Sequence, residues 1–212
     1  MVDVAIVDYG MGNLRSVEQA VRKVAPEVTV VVTDDASVIA SANRVVFPGQ
    51  GAMPDCMREL DARGLRAVVI QAAHDKPFLG ICIGLQMLFE HSAEGDVSGL
   101  GVLRGQVLRF PHAAHAANGE RLKVPHMGWN QVQHATPAHV LWSGIEQDAR
   151  FYFVHSYYVQ PVDTSVIQAT SDYPQPFVCA VAQHNLFAVQ FHPEKSHAAG
   201  LQLLKNFTLW NP

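Results

Sequence analysis

Apolar residues occur along the first half of the chain in short runs that alternate with stretches of helical spacing. The runs predict strands at Val4–Val7, Val28–Val32, Val45–Phe47 and Phe78–Ile81, the third being stopped by Pro48-Gly49-Gln50-Gly51. Apolar positions three and four residues apart predict a helix that starts after Asn13, which is placed to cap it, and further helices over Asp55–Leu60, Leu65–Ala73 and Ile83–Phe89. This alternation of strand and helix predicts a parallel, doubly wound sheet with helices on both faces, a three-layer α/β/α arrangement.

The second half of the chain is less regular. Strands bounded by Gly, Pro and Asn are predicted at Val102–Phe110, Asn130–His134, Phe151–Val154, Val166–Thr170, Val178–Gln183 and Leu186–Phe191. Several of these are close enough in sequence to pair as hairpins, so we expect antiparallel strands to extend the sheet. Ala198–Leu209 is predicted to be a closing amphipathic helix, and Pro111–Gly119 a surface loop.

Composition limits the function without identifying it. The 212 residues are 49% hydrophobic and carry 15 Lys plus Arg against 19 Asp plus Glu, for a net charge of −4. This length and apolar content predict one domain that spans residues 1–212. The charges form no run of one sign and the apolar stretches are short, so we expect neither nucleic acid nor a membrane as a partner.

The three cysteines, Cys56, Cys82 and Cys179, lie far apart and form no CxxC pair. This spacing argues against a disulfide framework or a thiolate metal site. A reducing cytoplasm is therefore the expected location. The first residues carry acids and no basic lead, so we expect no signal peptide. Cys56 and Cys179 lie among small apolar residues and are predicted to be buried core residues.

The segment Gly80-Ile81-Cys82-Ile83-Gly84 has the form glycine, any residue, nucleophile, any residue, glycine, between a predicted strand and a predicted helix. A residue at such a turn projects into solvent from the carboxyl edge of the sheet, and the small residues let neighbouring backbones approach. The positive end of the helix dipole favours a thiolate, and the N–H of Ile83 is placed to donate to an oxyanion. A buried structural cysteine is the alternative.

A thiol nucleophile needs a base, and the base needs a group that orients it. His192 follows the strand Leu186–Phe191, whose end should lie at the same sheet edge as Cys82. Glu194 lies two residues further, where extended backbone puts it on the same face. Other histidines, namely His112, His115 and His134, lie in loop-like sequence and are predicted to be solvated. The first two also lack a nearby acidic or cysteine residue as a third ligand, which argues against a metal site.

At this point the chain resembles a known family. The segments Gly80–Gln86 and Phe191–Glu194 resemble the class I, or triad, glutamine amidotransferases. Tyr9–Asn13, Pro125–Asn130 and His192–Ser196 narrow the resemblance to the glutaminase subunits of imidazole glycerol phosphate synthases, over essentially the whole chain. The resemblance implies a flavodoxin-like, mostly parallel central sheet that antiparallel strands extend, and it implies no cofactor and no metal.

The resemblance also implies roles for individual residues. Cys82 would attack the carboxamide of L-glutamine, His192 would move the proton and Glu194 would orient the imidazole. The N–H groups of Gln50 and Ile83 would form the oxyanion hole. The substrate-binding positions would be Gly49, Gly51, Gln86, Glu94, Ser156 and Tyr157. Gln86 also has a purely structural interpretation, as a polar residue on the helix.

Free ammonia is mostly ammonium at neutral pH, so the resemblance implies that it passes to a second site on another protein. That partner would be a (β/α)8-barrel cyclase that makes imidazole glycerol phosphate and an aminoimidazole carboxamide ribotide. Positions that match the interface are Asn13, Trp129, Tyr152 and Lys195, although core packing is an open alternative for Trp129. The Gly49–Gly51 segment would act as a switch that completes the oxyanion hole.

Three other hypotheses compete with this one. Gly10 and Gly12 follow a strand, and Asp34 lies where a ribose ligand would be expected, but Arg15 occupies the third glycine position of a dinucleotide loop. A freestanding hydrolase or peptidase of γ-glutamyl bonds would share the elbow and the histidine. A non-catalytic binding module would keep the fold but have an unreactive Cys82.

Overall fold

A computed structural model describes residues 2–111 and 123–212 of the chain. The parallel half of its sheet contains β1 (Val4–Val7), β2 (Val30–Thr33), β3 (Arg44–Gly49), β4 (Phe78–Cys82) and β13 (Leu186–Val189). The remaining strands are β5 (Phe89–Ser92), β6 (Val97–Ser98), β7 (Leu103–Arg109), β8 (His126–His134), β9 (Ala149–His155), β10 (Tyr157–Pro161), β11 (Ile167–Asp172) and β12 (Pro176–Gln183). The helices are α1 (Leu14–Val24), α2 (Ala36–Ser41), α3 (Met53–Ala62), α4 (Arg66–Asp75), α5 (Ile83–Met87) and α6 (His197–Leu209).

The sheet has the mixed topology that the pattern predicts. Its main path runs β2-β1-β3-β4-β13-β12-β10-β7-β5-β6. The pairs β1–β2, β1–β3, β3–β4 and β4–β13 are parallel, and β12–β13, β10–β12 and β7–β10 are antiparallel. A side branch is formed by β11, β8 and β9, all antiparallel. The prediction of a parallel sheet that antiparallel strands extend is therefore confirmed.

The helices that cover the sheet pack against one another in pairs. The amphipathic α1 packs against α6, α2 packs against α4, and α3 packs against α5. Their apolar residues join the strands in one core cluster, in which Phe47, Phe78 and Phe187 are completely buried. Burying such side chains is worth roughly 1.5–3 kcal/mol each, which makes the sheet a rigid frame for its carboxyl edge.

Strand β3 runs through Pro48 to Gly49, so the prediction that Pro48 ends it is wrong. The register pairs Pro48 with Ile81 and Gly49 with Cys82. Strand β1 accompanies β3 only as far as Val46. Beyond that point β3 has a neighbour on one side only, and a strand can accept proline where its missing N–H has no ladder partner.

Several other boundaries differ from the prediction. The helix after Cys82 ends at Met87 and not at Phe89, because Phe89 pairs with Leu103 as the start of β5. Asn13 occupies the N-cap position of α1, but its side chain makes no capping hydrogen bond. The predicted strand at Val28–Val32 begins two residues later, and the strand before His192 ends at Val189.

The elements that sequence analysis missed are short or polar. Helix α2 has six residues, too few for a periodic pattern, and begins where the Asp35 side chain accepts hydrogen bonds from the N–H groups of Ser37 and Val38. Strands β5 and β6 are short and contain several polar residues, and β10 has only five residues without a clear apolar alternation. His134 ends β8 and stacks on Trp142 with ring centroids 5.5 Å apart, so it lies in a strand and not in a loop, and its side chain is half-buried.

Within residues 2–111 and 123–212 no helix combines the length and apolar character needed to cross a membrane. The same residues hold no cluster of three or more His, Cys, Asp or Glu side chains arranged to bind a metal ion. The predicted loop Pro111–Gly119, with His112 and His115, falls outside the described residues after Pro111.

Two histidines face each other across the β8–β9 pair. His126 and His155 are register partners, and Nδ1 of His126 lies 3.0 Å from Nε2 of His155. Both are buried among Phe110, Phe153 and Phe177. Burial lowers the pKa of His126 to about 4 and that of His155 to about 3. Both rings are therefore neutral in the folded protein near pH 7.

We expect these two histidines to make the fold sensitive to acid. Below pH 6.5, the ordinary pKa of histidine, these side chains bind protons in the unfolded chain but stay neutral in the folded chain until about pH 4. The free energy of unfolding therefore falls as pH falls, by up to about 1.4 kcal/mol per pH unit for each histidine. In urea titrations, His126→Phe should reduce the loss of unfolding free energy between pH 7 and pH 5. The exposed α4 residue His74 supplies the control, His74→Gln; an equal loss in both variants would contradict the prediction.

Candidate active site

Cys82 lies at the turn between β4 and α5, in the strained conformation that a nucleophile elbow requires. Its φ is 56° and its ψ −111°, a combination that side chains rarely adopt. The two flanking glycines are needed for space, since a Cβ on Gly84 would lie 1.9 Å from the carbonyl oxygen of Phe47 and one on Gly80 2.9 Å from Cβ of Ala188. The elbow geometry is confirmed, but Cys82 is only 4% exposed and does not project into solvent.

His192 and Glu194 lie at the same edge of the sheet. Strand β13 runs parallel to β4 with Val189 opposite Ile81, so the residues that follow the two strands meet. Nδ1 of His192 lies 2.9 Å from Oε1 of Glu194, and both side chains are almost completely buried. Pro193–Lys195 forms a 3-10 turn and not the extended backbone that the sequence predicts, and this turn brings the carboxylate back to the imidazole.

Backbone contacts from β9 hold the His192 segment. The N–H of His192 donates to the carbonyl of Tyr152 over 2.9 Å. The Ser196 hydroxyl donates to the carbonyl of His192 over 2.6 Å and accepts from the N–H of Tyr152 over 3.0 Å. Because these bonds close a small ring around the turn, the position of the imidazole depends on β9 as well as on β13.

The charges around His192 favour its protonated form. Burial by itself lowers the pKa of the imidazole, but interaction with the Cys82 sulfur, and then with Glu194, raises it to about 10. Nε2 of His192 is buried and makes no hydrogen bond to the described residues, although Cys82 is close enough to raise the pKa of the ring. The interactions with Cys82 and Glu194 therefore outweigh burial and favour an imidazolium at His192.

A cavity of about 240 Å³ opens in front of Cys82. The predicted residues that line it are Gln50, Gly51, Cys82, Ile83, Gln86, Glu94, Ser156, Tyr157 and His192. Pro125, Val154 and His155 complete the wall, and sequence analysis did not single them out. Two predicted residues, Gly49 and Glu194, do not line the cavity but pack against residues that do. Glu194 supports His192, and Gly49 lies so close to Tyr9 that a Cβ would be 2.4 Å from the tyrosine oxygen.

Several polar groups of the cavity contact other groups of the protein. Nε2 of Gln86 donates to the carbonyl of Tyr157 over 3.2 Å, and its Oε1 is buried without a partner among the described residues. Oε2 of Glu94 accepts from the N–H of Met53 over 2.9 Å. The carbonyl of Gln50 lies 3.6 Å from the Cys56 sulfur. Gln86 thus combines the structural and the ligand-facing interpretations, with its nitrogen held and its oxygen free.

The residues predicted to meet a partner lie beside the triad. Trp129 and Tyr152 are opposite each other in the β8–β9 register, with ring centroids 6.1 Å apart. Nζ of Lys195 lies 5.8 Å from the Tyr152 ring, and Trp129 is 40% exposed and stacks on His197. Asn13 lies at the start of α1, a helix that packs against the 3-10 turn of Glu194. These four positions surround the outer side of the triad.

The loop that resembles a dinucleotide site is contacted by an arginine from the end of helix α3. The guanidinium of Arg63 lies so close to Gly10 that a Cβ there would be 2.7 Å from it. Arg63 also lies 3.4 Å from Asp34, the candidate ribose ligand.

A larger cleft, of about 780 Å³, lies at the amino edge of the sheet near Arg44, Lys76 and Asn185. Its cations are bonded to backbone carbonyls, and it is far from Cys82 in the fold.

Gln190 contacts the sulfur and was not among the predicted site residues. Gln190 is completely buried, and its Nε2 lies 3.8 Å from Sγ of Cys82. The signal was present as a polar residue within the apolar segment Leu186–Phe191. Ser196 was noted only as part of a motif, and nothing in the sequence indicated that it bridges β9 and His192.

Comparison with known proteins identifies related sequences and folds. The family model of the class-I glutamine amidotransferases matches residues 5–210. The imidazole glycerol phosphate synthase subunit HisH of Thiobacillus denitrificans is 65% identical over 212 residues, which are 100% of this chain and 92% of the relative. The protein of the same name from Nitrosomonas europaea is 57% identical over 213 residues, covering 100% of both chains.

Among solved structures, one described as a glutamine amidotransferase superposes with a TM-score of 0.70 at 16% identity, over 96% of this chain and 98% of the other. The Trypanosoma brucei CTPS glutaminase domain with bound acivicin gives 0.67 at 16% identity, over 100% and 96%. At these identities the structural matches establish the fold alone.

We expect Cys82→Ala to lower the pKa of His192 from about 10 toward its ordinary value of 6.5, because Cys82 is the largest influence that raises it. NMR titration of the histidine ring would measure the change. Glu194→Gln serves as the comparison and should lower the pKa less, since its contribution is smaller. An imidazole that still titrates near pH 10 without the sulfur would refute this account.

Proposed function

The chain belongs to the class-I glutamine amidotransferase family, and on this premise we propose that it is the glutaminase subunit of an imidazole glycerol phosphate synthase in histidine biosynthesis. It hydrolyses L-glutamine to L-glutamate and ammonia, and it supplies the ammonia to a cyclase subunit. The family match over residues 5–210 supports one amidotransferase domain across the chain.

The observation that carries the reaction is the placement of Cys82 beside the buried His192–Glu194 pair at the mouth of a small cavity. A strained elbow, a base and an orienting carboxylate are the parts that thiol-based acyl transfer requires. The relatives named as HisH subunits, 57–65% identical over the whole chain, support the particular amidotransferase.

In the proposed mechanism the Cys82 thiolate attacks the carboxamide carbon of glutamine. The N–H groups of Ile83 and Gln50 stabilise the negative charge on the carbonyl oxygen of the tetrahedral intermediate. His192, protonated because of its raised pKa, gives its proton to the leaving nitrogen, and ammonia departs from a glutamyl thioester. His192 then takes a proton from water, which hydrolyses the thioester to glutamate and regenerates the thiolate.

The cavity residues would hold the amino acid part of the substrate. Glu94 provides the carboxylate for the α-ammonium group, and the backbone at Ser156 and Tyr157 provides the site for the α-carboxylate. The free Oε1 of Gln86 accepts a hydrogen bond from the substrate, because its nitrogen is already held by Tyr157. Gly51 has a φ of 111°, in the region that favours glycine, and the glycines at positions 49 and 51 would let the strand beside the oxyanion hole change its conformation.

The ammonia has to reach the cyclase before it is protonated, so we propose a heterodimer with a (β/α)8-barrel cyclase. The surface around the triad, with Asn13, Trp129, Tyr152 and Lys195, is the proposed interface. Lys195 supports this because its ammonium lies over the Tyr152 ring, with no ion pair to Glu194. We also propose a cytoplasmic location, in keeping with three buried, unpaired cysteines.

The reaction can be tested with the purified chain and the cyclase. We expect glutamate release from glutamine to rise when the cyclase and its nucleotide ligand are added, because the partner completes the oxyanion hole. Cys82→Ala should reduce this release by at least about a thousandfold, since the residue supplies the nucleophile. Coupled assays of glutamate and of imidazole glycerol phosphate measure both halves of the synthase.

Cys179→Ala is the matched control, because Cys179 is a buried cysteine that does not line the cavity, and it should retain activity. Undiminished hydrolysis by Cys82→Ala would exclude the mechanism. Hydrolysis that ignores the cyclase would instead favour the freestanding γ-glutamyl hydrolase.

Lys195→Ala should weaken association with the cyclase by about tenfold or more, as expected for a central interface residue. Titration calorimetry of the two subunits measures this, and Lys205→Ala, at an exposed position of α6, is the control with unchanged affinity. Unaltered affinity together with unaltered stimulation of the glutaminase would remove Lys195 from the interface.

A further inference from the structure

Gln190 has a more definite place in the site than packing requires. It follows β13, is completely buried, and its N–H donates to the carbonyl of Cys179 over 2.8 Å. Its side-chain Oε1 lies 3.0 Å from Nε2 of Gln86, and its Nε2 lies 3.8 Å from Sγ of Cys82. A buried amide that uses both ends in this way forms a bridge from Gln86 to the sulfur.

The direction of this bridge is fixed by a backbone carbonyl. The side chain of Gln86 faces the carbonyl oxygen of Tyr157, which can only accept, so that end of Gln86 must be its nitrogen. The same nitrogen faces Gln190, which must therefore present its oxygen to Gln86 and its nitrogen to Cys82. The amide N–H of Gln190 thus points at the sulfur, and turning the amide over would break the bond to Gln86.

The carbonyl of Tyr157 is itself held by a second chain of donors. Nδ1 of His155 lies 2.7 Å from it, and Nδ1 of His126 lies 3.0 Å from Nε2 of His155. Nδ2 of Asn130 lies 3.3 Å from Nε2 of His126. With both rings neutral, each carries its proton on Nδ1, and the donors run from Asn130 through His126 and His155 to Tyr157.

The orientation of Asn130 is also determined. Its Oδ1 accepts from the N–H of Gln131 over 2.9 Å, and its Nδ2 donates to the carbonyl of Asp172 over 2.8 Å. Every polar group from β8 to the sulfur therefore has a single direction. Apart from Oε1 of Gln86, which has no partner among the described residues, the side-chain polar atoms of this network are paired, so changing any one member leaves a donor or acceptor unpaired.

We propose that Gln190 is a positioning residue of the thiol site, whose amide N–H fixes the Cys82 side chain and stabilises negative charge on its sulfur. The inference rests on the proposed glutaminase function. It differs from the roles of Gln86 and Glu94, because Gln190 does not line the cavity and so acts on the substrate only through Cys82. A donor to a charged acceptor is stronger than one to a neutral acceptor, so the contact favours the thiolate over the thiol.

Two substitutions test this role. Gln190→Met keeps a similar volume and removes both polar ends, so Cys82 should react with iodoacetamide about tenfold more slowly at pH 7. With the cyclase present, kcat for glutamine hydrolysis should fall about tenfold while KM changes less than about twofold, because the residue does not touch the substrate.

Gln190→Glu gives a signature that a packing role would not produce. The carboxylic acid can accept from Gln86 and donate to the sulfur, but the carboxylate cannot donate and adds a like charge. The alkylation rate of Cys82, relative to the parent, should therefore decline as pH rises. This variant also keeps the acceptor for Gln86, so it remains informative if Gln190→Met does not fold.

Ser171→Ala is the matched control, since Ser171 is a buried polar residue outside the network, and it should leave both assays unchanged. A parental alkylation rate in Gln190→Met, or a constant ratio to the parent across pH in Gln190→Glu, would overturn the proposal. A raised KM with unchanged kcat would do the same. Alkylation of Cys82 needs no glutamine, so this assay tests the role of Gln190 independently of hydrolysis. Absence of glutamate release by the parent chain would contradict the proposed function, but it would leave the alkylation result valid.

Discussion

The left-handed backbone at Cys82 is the constraint around which the rest of the site is built. A non-glycine residue with a φ of 56° costs of order 1–3 kcal/mol, and it persists only where its surroundings leave no alternative. Here the surroundings are the parallel strands β3, β4 and β13 and the glycines at positions 80 and 84, which let Phe47 and Ala188 approach the turn. The sheet stabilises the strained turn, and the turn places the sulfur within the cavity wall.

The same parallel register brings three separate parts of the chain to one edge. Gly49 ends β3, Cys82 ends β4, and His192 follows β13. The antiparallel strands then contribute from the other side, since the carbonyl of Tyr152 anchors His192 and the carbonyl of Tyr157 anchors Gln86. The charge arrangement follows from this closeness, because the sulfur and Glu194 raise the pKa of His192 although burial opposes it.

The sequence predicts the frame of this protein better than its details. Strands β1, β4 and β13 are uniformly buried and apolar, so their runs could be identified, and the elbow has a spacing that only a sharp turn explains. The short strand β10 and the short helix α2 carry no such signal, because their places depend on partners distant in sequence. Pro48 was misinterpreted for the same reason: its tolerance depends on where β1 ends.

The candidate site shows the same division. Cys82, His192 and Glu194 stand in motifs and could be chosen from spacing, but the 3-10 turn that joins the last two could not. Gln190, His126 and His155 acquire their meaning only from contacts across strands, with 29 residues separating the two histidines and 108 separating Gln190 from Cys82. Local patterns do not carry that information.

The two faces of strand β8 limit where the length of this chain can change. Its alternate residues face opposite ways, with His126 and Asn130 turned to the buried hydrogen-bond network and Met127 and Trp129 exposed. Inserting or deleting one residue within it would exchange these two sets, placing an apolar side chain in the network and a histidine on the surface. The length of this strand is therefore fixed by both of its faces at once, and differences in length between related chains belong in the connections on either side of it.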